Sequence, residues 1–243
     1  MDLLVKNEKS VRPNPAKIRE MFGNITAHYD LLNHLFSLGR DIFWRKTLAR
    51  RLLVIDPPGR FLDLAAGSGD QLVANHKQWP EAVQTGLDFS RPMLDLAMAK
   101  VEGKPINLVL GDVLEPPFED NLFDSISISF GLRNLADRQE LYKQTLRILK
   151  PGGRFLVMEM FYEPRHLLAP VTGFILKKAT PWVANRLFKA SKDAYRYLGH
   201  SILSFPHPAV ILDEMAKTGF QKLGYRTYTF DIAMLVWGHK PLA

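Results

Sequence analysis

The chain contains no cysteine. Disulfides, zinc–thiolate centres and cysteine nucleophiles are therefore excluded. Nor does it contain a run of about 18 apolar residues, the length a helix needs to cross a bilayer. The opening stretch MDLLVKNEKSVRPNPAK lacks the apolar core of a secretory leader, so the cytoplasm is the expected compartment. The seven histidines (28, 34, 76, 166, 200, 207 and 239) fall without metal-ligand spacing, and no metal is expected. No internal repeat or low-complexity tract is visible.

What is present suits one large α/β domain. The chain has 243 residues, and a 47% hydrophobic content is enough to bury a core and argues against disorder. The net charge of +7 is unevenly spread. Residues 1–60 hold 11 Lys/Arg against 6 Asp/Glu, residues 61–161 hold 10 against 14, and residues 162–205 hold 7 against 2. A basic flank suits nucleic acid or an anionic membrane face, and equally an ordinary solvated surface.

Residues 1–58 read as an N-terminal helical cap. Apolar positions at Ile18, Met21, Phe22, Ile25, Tyr29, Leu32 and Phe36 form one helical stripe, with Gly39 as its stop. A second helix is expected from about Ile42 to Leu53, before Pro57-Pro58. Residues 59–161 then alternate strands (61–65, 85–89, 106–110, 123–130, 154–160) with helices starting near Asp70, Pro92 and Asp137. The last of these helices is stopped by Lys150-Pro151-Gly152-Gly153. This rhythm predicts a Rossmann-like three-layer sandwich with a mostly parallel sheet. Residues 162–205 are apolar, basic and broken by Pro164, Pro170 and Pro181, and read as a helical lid. Residues 206–243 finish the core with a helix near Pro208–Thr218 and two strands, 221–228 and 229–240. With no helix between them these strands should pair antiparallel. Such a hairpin is foreign to dehydrogenases and expected of the seven-stranded class I methyltransferase sheet.

The strongest chemical signal is Leu62-Asp63-Leu64-Ala65-Ala66-Gly67-Ser68-Gly69-Asp70, a buried strand running through small residues into a helix. Small residues let a ligand approach the backbone, and the helix start offers free N–H groups. Asp88 lies 21 residues after Gly67, where a carboxylate grips ribose hydroxyls. Gly111-Asp112 ends the third strand, within reach of an adenine amine. The plain alternative is a strand–turn–helix with a surface aspartate; three matched features on three successive strands weigh against it. A dinucleotide site wants G-x-G-x-x-G, and the third glycine is missing. An acid at Asp63 suits a cationic ligand with an amino-acid portion. S-adenosylmethionine fits, and a nicotinamide dinucleotide remains the outsider.

Three further stretches carry a resemblance to the C-methyltransferases of menaquinone and ubiquinone biosynthesis, across about residues 17–238. They are Tyr29-Asp30-Leu31-Leu32-Asn33 with Ser37-Leu38-Gly39 and Trp44-Arg45; Ser127 to Asn134 with Arg147 to Gly153 and Glu159; and Tyr195 to Ile202 with Phe205-Pro206. The resemblance implies that Ser68 keeps a cofactor-touching hydroxyl, that Asp88 binds ribose, and that Asp112 and Val113 flank the adenine. It implies a further cofactor contact at Ser129. Asp41 stands where many members have histidine, and Met160-Phe161 replaces an aromatic–serine pair. The resemblance also implies a polyprenyl quinol as substrate, demethylmenaquinol first and 2-methoxy-6-polyprenyl-1,4-benzoquinol second.

For that chemistry the catalytic candidates are Arg133 and Asn134 beyond the fourth strand, with Tyr29 and Asp30 closing from the N-terminal helix. Arg133 is equally a structural salt-bridge partner, Tyr29 a core aromatic, and His34 an alternative base or a surface histidine. The lid could rest on the anionic inner face of a membrane, or form a homodimer contact. An RNA methyltransferase is the runner-up from charge alone. Its amino-group motif, Asn/Asp-Pro-Pro-aromatic, is absent after the fourth strand, where Phe130-Gly131-Leu132-Arg133 stands, and no nucleic acid partner is expected.

Overall fold

The computed structural model describes residues 34, 37, 39–167, 169–174 and 192–242. The expected N-terminal helix, with Tyr29 and Asp30, lies outside the described residues, apart from a helical His34. The elements run α1 (Arg40–Ala49), β1 (Arg60–Leu64), α2 (Asp70–Gln78), β2 (Val83–Asp88), α3 (Arg91–Val101), β3 (Ile106–Leu110) and β4 (Phe123–Ser129). A 3₁₀ turn (Leu132–Asn134) follows, then α4 (Arg138–Ile148), β5 (Leu149–Met160), α5 (Ala169–Phe174), α6 (Lys192–Leu203), α7 (Pro208–Thr218), β6 (Gln221–Tyr228) and β7 (Ala233–His239).

The seven strands form one sheet in the order β3-β2-β1-β4-β5-β7-β6. The first five are parallel, and β7 joins antiparallel to both β5 and β6. The core strands bury both faces, so their residues alternate between two apolar clusters. On β5, Phe155 and Val157 enter one cluster while Leu156 and Met158 enter the other. On β7, Met234 and Val236 alternate with Leu235 in the same way. Trp44 of α1 lies in the second cluster, and its indole N–H donates to Thr229 Oγ1 at 3.0 Å, tying the cap to the terminal hairpin.

Four boundaries differ from the sequence reading. The second helix is displaced to Arg40–Ala49: Gly39, at φ 71, closes on His34 O through its amide (2.7 Å) and directly starts α1. The expected strand at 85–89 runs Val83–Asp88, a small shift. Lys150-Pro151-Gly152-Gly153 does stop α4, but it continues as the first part of β5 with a bulge against β4. A side chain at Gly153 would stand 2.8 Å from Lys150 O and 3.0 Å from Asp124 O, so only glycine allows the strands to close there. Residues 229–232, expected as strand, form the hairpin turn. Thr229, Phe230 and Asp231 all take left-handed φ (53, 55 and 60), a turn with no glycine to announce it.

Asp124 holds the amino-terminal end of the central strands. Its buried carboxylate accepts from the amides of Ile55, Asp56 and Arg60 (2.9, 3.1 and 2.6 Å) and from Lys150 Nζ at 3.2 Å. Burial alone would raise its pKa, but these four donors outweigh it and hold the carboxyl below the ordinary value. This stabilisation is present above the ordinary carboxylate pKa and is lost as pH falls through the lowered one. Asp124→Asn should cost about 1–3 kcal/mol in urea unfolding at neutral pH. The gap from the parent should narrow below about pH 4, where the parent carboxylate also begins to protonate.

Candidate active site

The crevice is built where the chain leaves the carboxyl ends of β1, β2 and β4. After β1 the chain makes a turn with Ala65 at φ 52, Gly67 at φ 55 and Gly69 at φ 86. Gly69 starts α2 without a side-chain cap, leaving first-turn N–H groups for a ligand. A side chain at Gly69 would stand 3.1 Å from Ala97 Cβ, so the turn is pinned against α3. A side chain at Gly67 would meet nothing closer than Ala65 O at 4.0 Å, so this position opens outward. Ser68 is buried in the same turn.

Asp88 ends β2 and braces this turn. One carboxylate oxygen accepts from Gly67 N and the other from Ser90 N, both at 2.8 Å. The Phe89 amide also bonds this carboxylate, and its remaining lone-pair room is open to a ribose hydroxyl. Burial raises the Asp88 pKa, against the pull of these amides. Ser90 Oγ is buried beside it and has no hydrogen-bond partner among the described residues. Past β3, Asp112 is exposed and accepts from Leu114 N at 2.9 Å, while Val113 is buried in the main apolar cluster. Ser129 donates to Gln71 Oε1 at 2.9 Å. Gln71 Nε2 in turn reaches Asn75 Oδ1 (2.7 Å) and Arg45 O (3.2 Å), linking the end of β4 to α2 and α1.

Asp63 is the most enclosed acid of the predicted set. It accepts from Ser127 Oγ at 2.7 Å, and burial pushes its pKa up to about 7, against the opposing pull of Ser127 and Arg45. At neutral pH it therefore sits at the balance between acid and carboxylate, and an arriving ammonium would ionise it.

Beyond β4, Phe130 takes a left-handed φ of 60, and the chain turns through Gly131 into the 3₁₀ turn. Arg133 forms a buried ion pair with Glu159 of β5, whose Oε2 also accepts from Arg133 N at 3.2 Å. Arg133 Nε stays buried with no acceptor among the described residues. Asn134 is held from the lid: Tyr197 Oη of α6 donates to Asn134 Oδ1 at 3.0 Å. Burial raises the Tyr197 pKa, so it stays a phenol donor. Tyr197, Glu159 and Gln71 were not singled out as site residues from sequence. Tyr197 and Glu159 stand in the stretches that carry the family resemblance, but nothing local says that residues 134 and 197 meet.

On α1, Asp41 accepts from Ser37 Oγ (2.6 Å) and bonds His34 Nδ1 (2.7 Å). These residues and Asp70 bring three metal-ligand-type side chains together, yet Lys100 Nζ already pairs with Asp70 at 2.5 Å. They line a half-open cleft of about 670 Å³ with Arg45, Lys77 and Lys100; none of the predicted cofactor residues lines it.

The model of the ubiE/COQ5 methyltransferase family matches residues 9–240. The chain belongs to that family. A Geobacter sulfurreducens protein named as a ubiquinone/menaquinone biosynthesis C-methyltransferase is 37% identical over 231 residues, covering 93% of this chain and 89% of its own. A demethylmenaquinone methyltransferase from Thermus thermophilus is 37% identical over 223 residues, 91% of this chain and 100% of that one. A SAM-dependent methyltransferase structure from Thermotoga maritima superposes with a TM-score of 0.65 at 17% identity, over 92% of this chain and 99% of that one. Within the ubiE/COQ5 family, then, this methyltransferase carries its predicted cofactor residues on the β1, β2, β3 and β4 edges and its predicted Arg133–Asn134 pair on the next turn. Tyr29 and Asp30 lie outside the described residues.

The raised Asp63 pKa has a stability consequence. Native stability falls as pH rises from about 4 to about 7, because the unfolded chain ionises the group first. Asp63→Asn keeps an acceptor for Ser127 and removes this penalty. The variant should therefore gain on the parent in urea unfolding between about pH 4 and pH 7. Parallel pH curves for the two proteins would contradict the assignment.

Proposed function

We propose that this family member transfers a methyl group from S-adenosylmethionine to a ring carbon of a polyprenylated quinol, demethylmenaquinol being the preferred substrate. The observation that carries this reading is the buried Arg133 with an uncommitted Nε–H, set by Glu159 beside the cofactor turn. The donor supplies an electrophilic methyl on a sulfonium. The fit to it rests on this chain's own atoms: the outward-opening Gly67, the buried Asp63, and the unpartnered Ser90 hydroxyl beside Asp88. In this reading Asp63 faces the ammonium, Asp88 the ribose, Asp112 and Val113 the adenine, while Ser68 and Ser129 complete the shell.

A quinol carbon is a poor nucleophile while its hydroxyl, with a pKa of about 10, keeps its proton. Arg133 stays protonated at any working pH, so it is no base. Its charge lowers the pKa of a nearby phenol, and its Nε–H can donate to the oxygen as charge develops there. Glu159 prevents the guanidinium from swinging away. Asn134, with Oδ1 taken by Tyr197, presents its amide N–H₂ group to the same oxygen; the hydroxyl proton leaves before the ring carbon attacks and the ring-carbon proton after the methyl is in place, both to water at the mouth of the crevice. Exclusion of bulk water strengthens each of these interactions.

The second reading, methylation of 2-methoxy-6-polyprenyl-1,4-benzoquinol, is favoured by the double name of the Geobacter relative. For the tail, the exposed Leu167, Phe174 and Phe230 support weak contact with an anionic membrane face. The His166 and Phe230 rings lie 6.3 Å apart, joining lid and hairpin. Vesicle binding that is salt-sensitive and lost on deleting 166–190 is expected; a homodimer contact is the outcome if size, rather than vesicle binding, changes.

The decisive assay is mass spectrometry of both quinols with the donor, side by side, with bulk tRNA as the control for the nucleic-acid reading. Asp88→Ala should abolish donor affinity. Arg133→Lys keeps a charge toward Glu159 but loses the Nε–H; it should spare donor affinity and lower turnover by about 10²–10³. Methylation of tRNA and of neither quinol would overturn the reading.

A further inference from the structure

Arg45 differs from the other enclosed arginines of the described chain. Arg138 donates twice to Glu214 (2.9 and 2.6 Å), and Arg133 is closed on Glu159. Arg45 is only 8% exposed, yet its Nε has no acceptor among the described residues. The carboxylate oxygen that comes nearest, Asp41 Oδ2, is 4.0 Å away and already bonded to His34. The guanidinium lies over the Phe130 ring, 4.9 Å from its centroid, at the end of β4. Its charge also reaches Asp63 at the end of β1. The backbone beneath it is fixed, because Gln71 bonds Arg45 O on one side and Ser129 on the other.

Enclosing a cation without a hydrogen-bonded partner is costly, and a planar guanidinium is shaped to take a carboxylate in two parallel bonds. The neighbouring Asp63 narrows the choice of anion. A phosphate would be repelled by Asp63 and Asp88, whereas a zwitterion offers its ammonium to the acid and its carboxylate to the arginine. We propose that Arg45 binds the α-carboxylate of the methionyl portion of the donor, so that Asp63 and Arg45 together form an amino-acid subsite beside the glycine-containing turn. The inference rests on the donor reading above and adds to it the group that selects for an amino-acid tail.

The test is calorimetric binding of S-adenosylmethionine and of its decarboxylated analogue, which keeps the ammonium and loses the carboxylate. The parent should prefer S-adenosylmethionine. Arg45→Met should weaken S-adenosylmethionine by about 10–100-fold, the loss expected of a charged hydrogen bond, and leave the analogue unchanged or tighter. Arg45→Lys should recover part of the loss. Equal weakening of both ligands would make Arg45 a structural residue and overturn the proposal, as would unchanged affinity for S-adenosylmethionine. If Arg45→Met fails to fold, the parent and Arg45→Lys decide: a parent that binds both ligands equally refutes the subsite. A parent that binds neither ligand refutes the donor reading itself, a separable outcome.

Discussion

The chemistry of this protein depends on one topological constraint. β1 sits between β2 and β4, so the chain leaves β1 toward one side of the sheet and leaves β4 toward the other. The connections part at that point, and a crevice opens over the carboxyl ends of the central strands. Every residue with a proposed part in binding or transfer is either on those strand ends or aimed at them from α1 or α6.

That geometry creates an electrostatic problem. Asp63, Asp88 and Glu159 are all nearly or fully buried along one edge. Buried carboxylates must find donors or cations, or give up their charge. The three are treated differently. Glu159 is answered within the protein by Arg133. Asp88 is answered by the backbone amides of Gly67, Phe89 and Ser90, which shape the loop as they hold it. Asp63 has one serine and a distant arginine, and it keeps its proton up to about neutral pH. The acid least satisfied by the fold is thus the one left open to a cationic partner, while Glu159 serves to fix Arg133.

The flanking elements complete the crevice from both sides. α1 brings Arg45 across to Phe130, and α6 brings Tyr197 across to Asn134. The first sets a guanidinium over an aromatic ring and the second joins two part-buried polar side chains, and each orients the group it holds. Asp41 takes the Ser37 hydroxyl and the His34 imidazole, and so sets the entry to α1.

Much was readable in the order of residues. Short apolar runs alternating with helical stretches marked the strands, the small residues at 65–69 announced the turn into α2, and the helix-free link between β6 and β7 required an antiparallel pair. These features depend on neighbours within a few residues, which is the range over which periodicity and turn preference act. The turn of that hairpin, at 229–231, reads as strand from the sequence because three left-handed non-glycine residues carry no local turn signal. Which distant side chains meet was decided only by tertiary packing. Arg133 with Glu159 and Tyr197 with Asn134 lie 26 and 63 residues apart, and Arg45 meets Gln71 and Phe130 only because α1 docks on α2. A linear pattern sets which face of an element is apolar; it does not set the angle and register at which two faces dock, and those alone bring a polar pair within bonding distance.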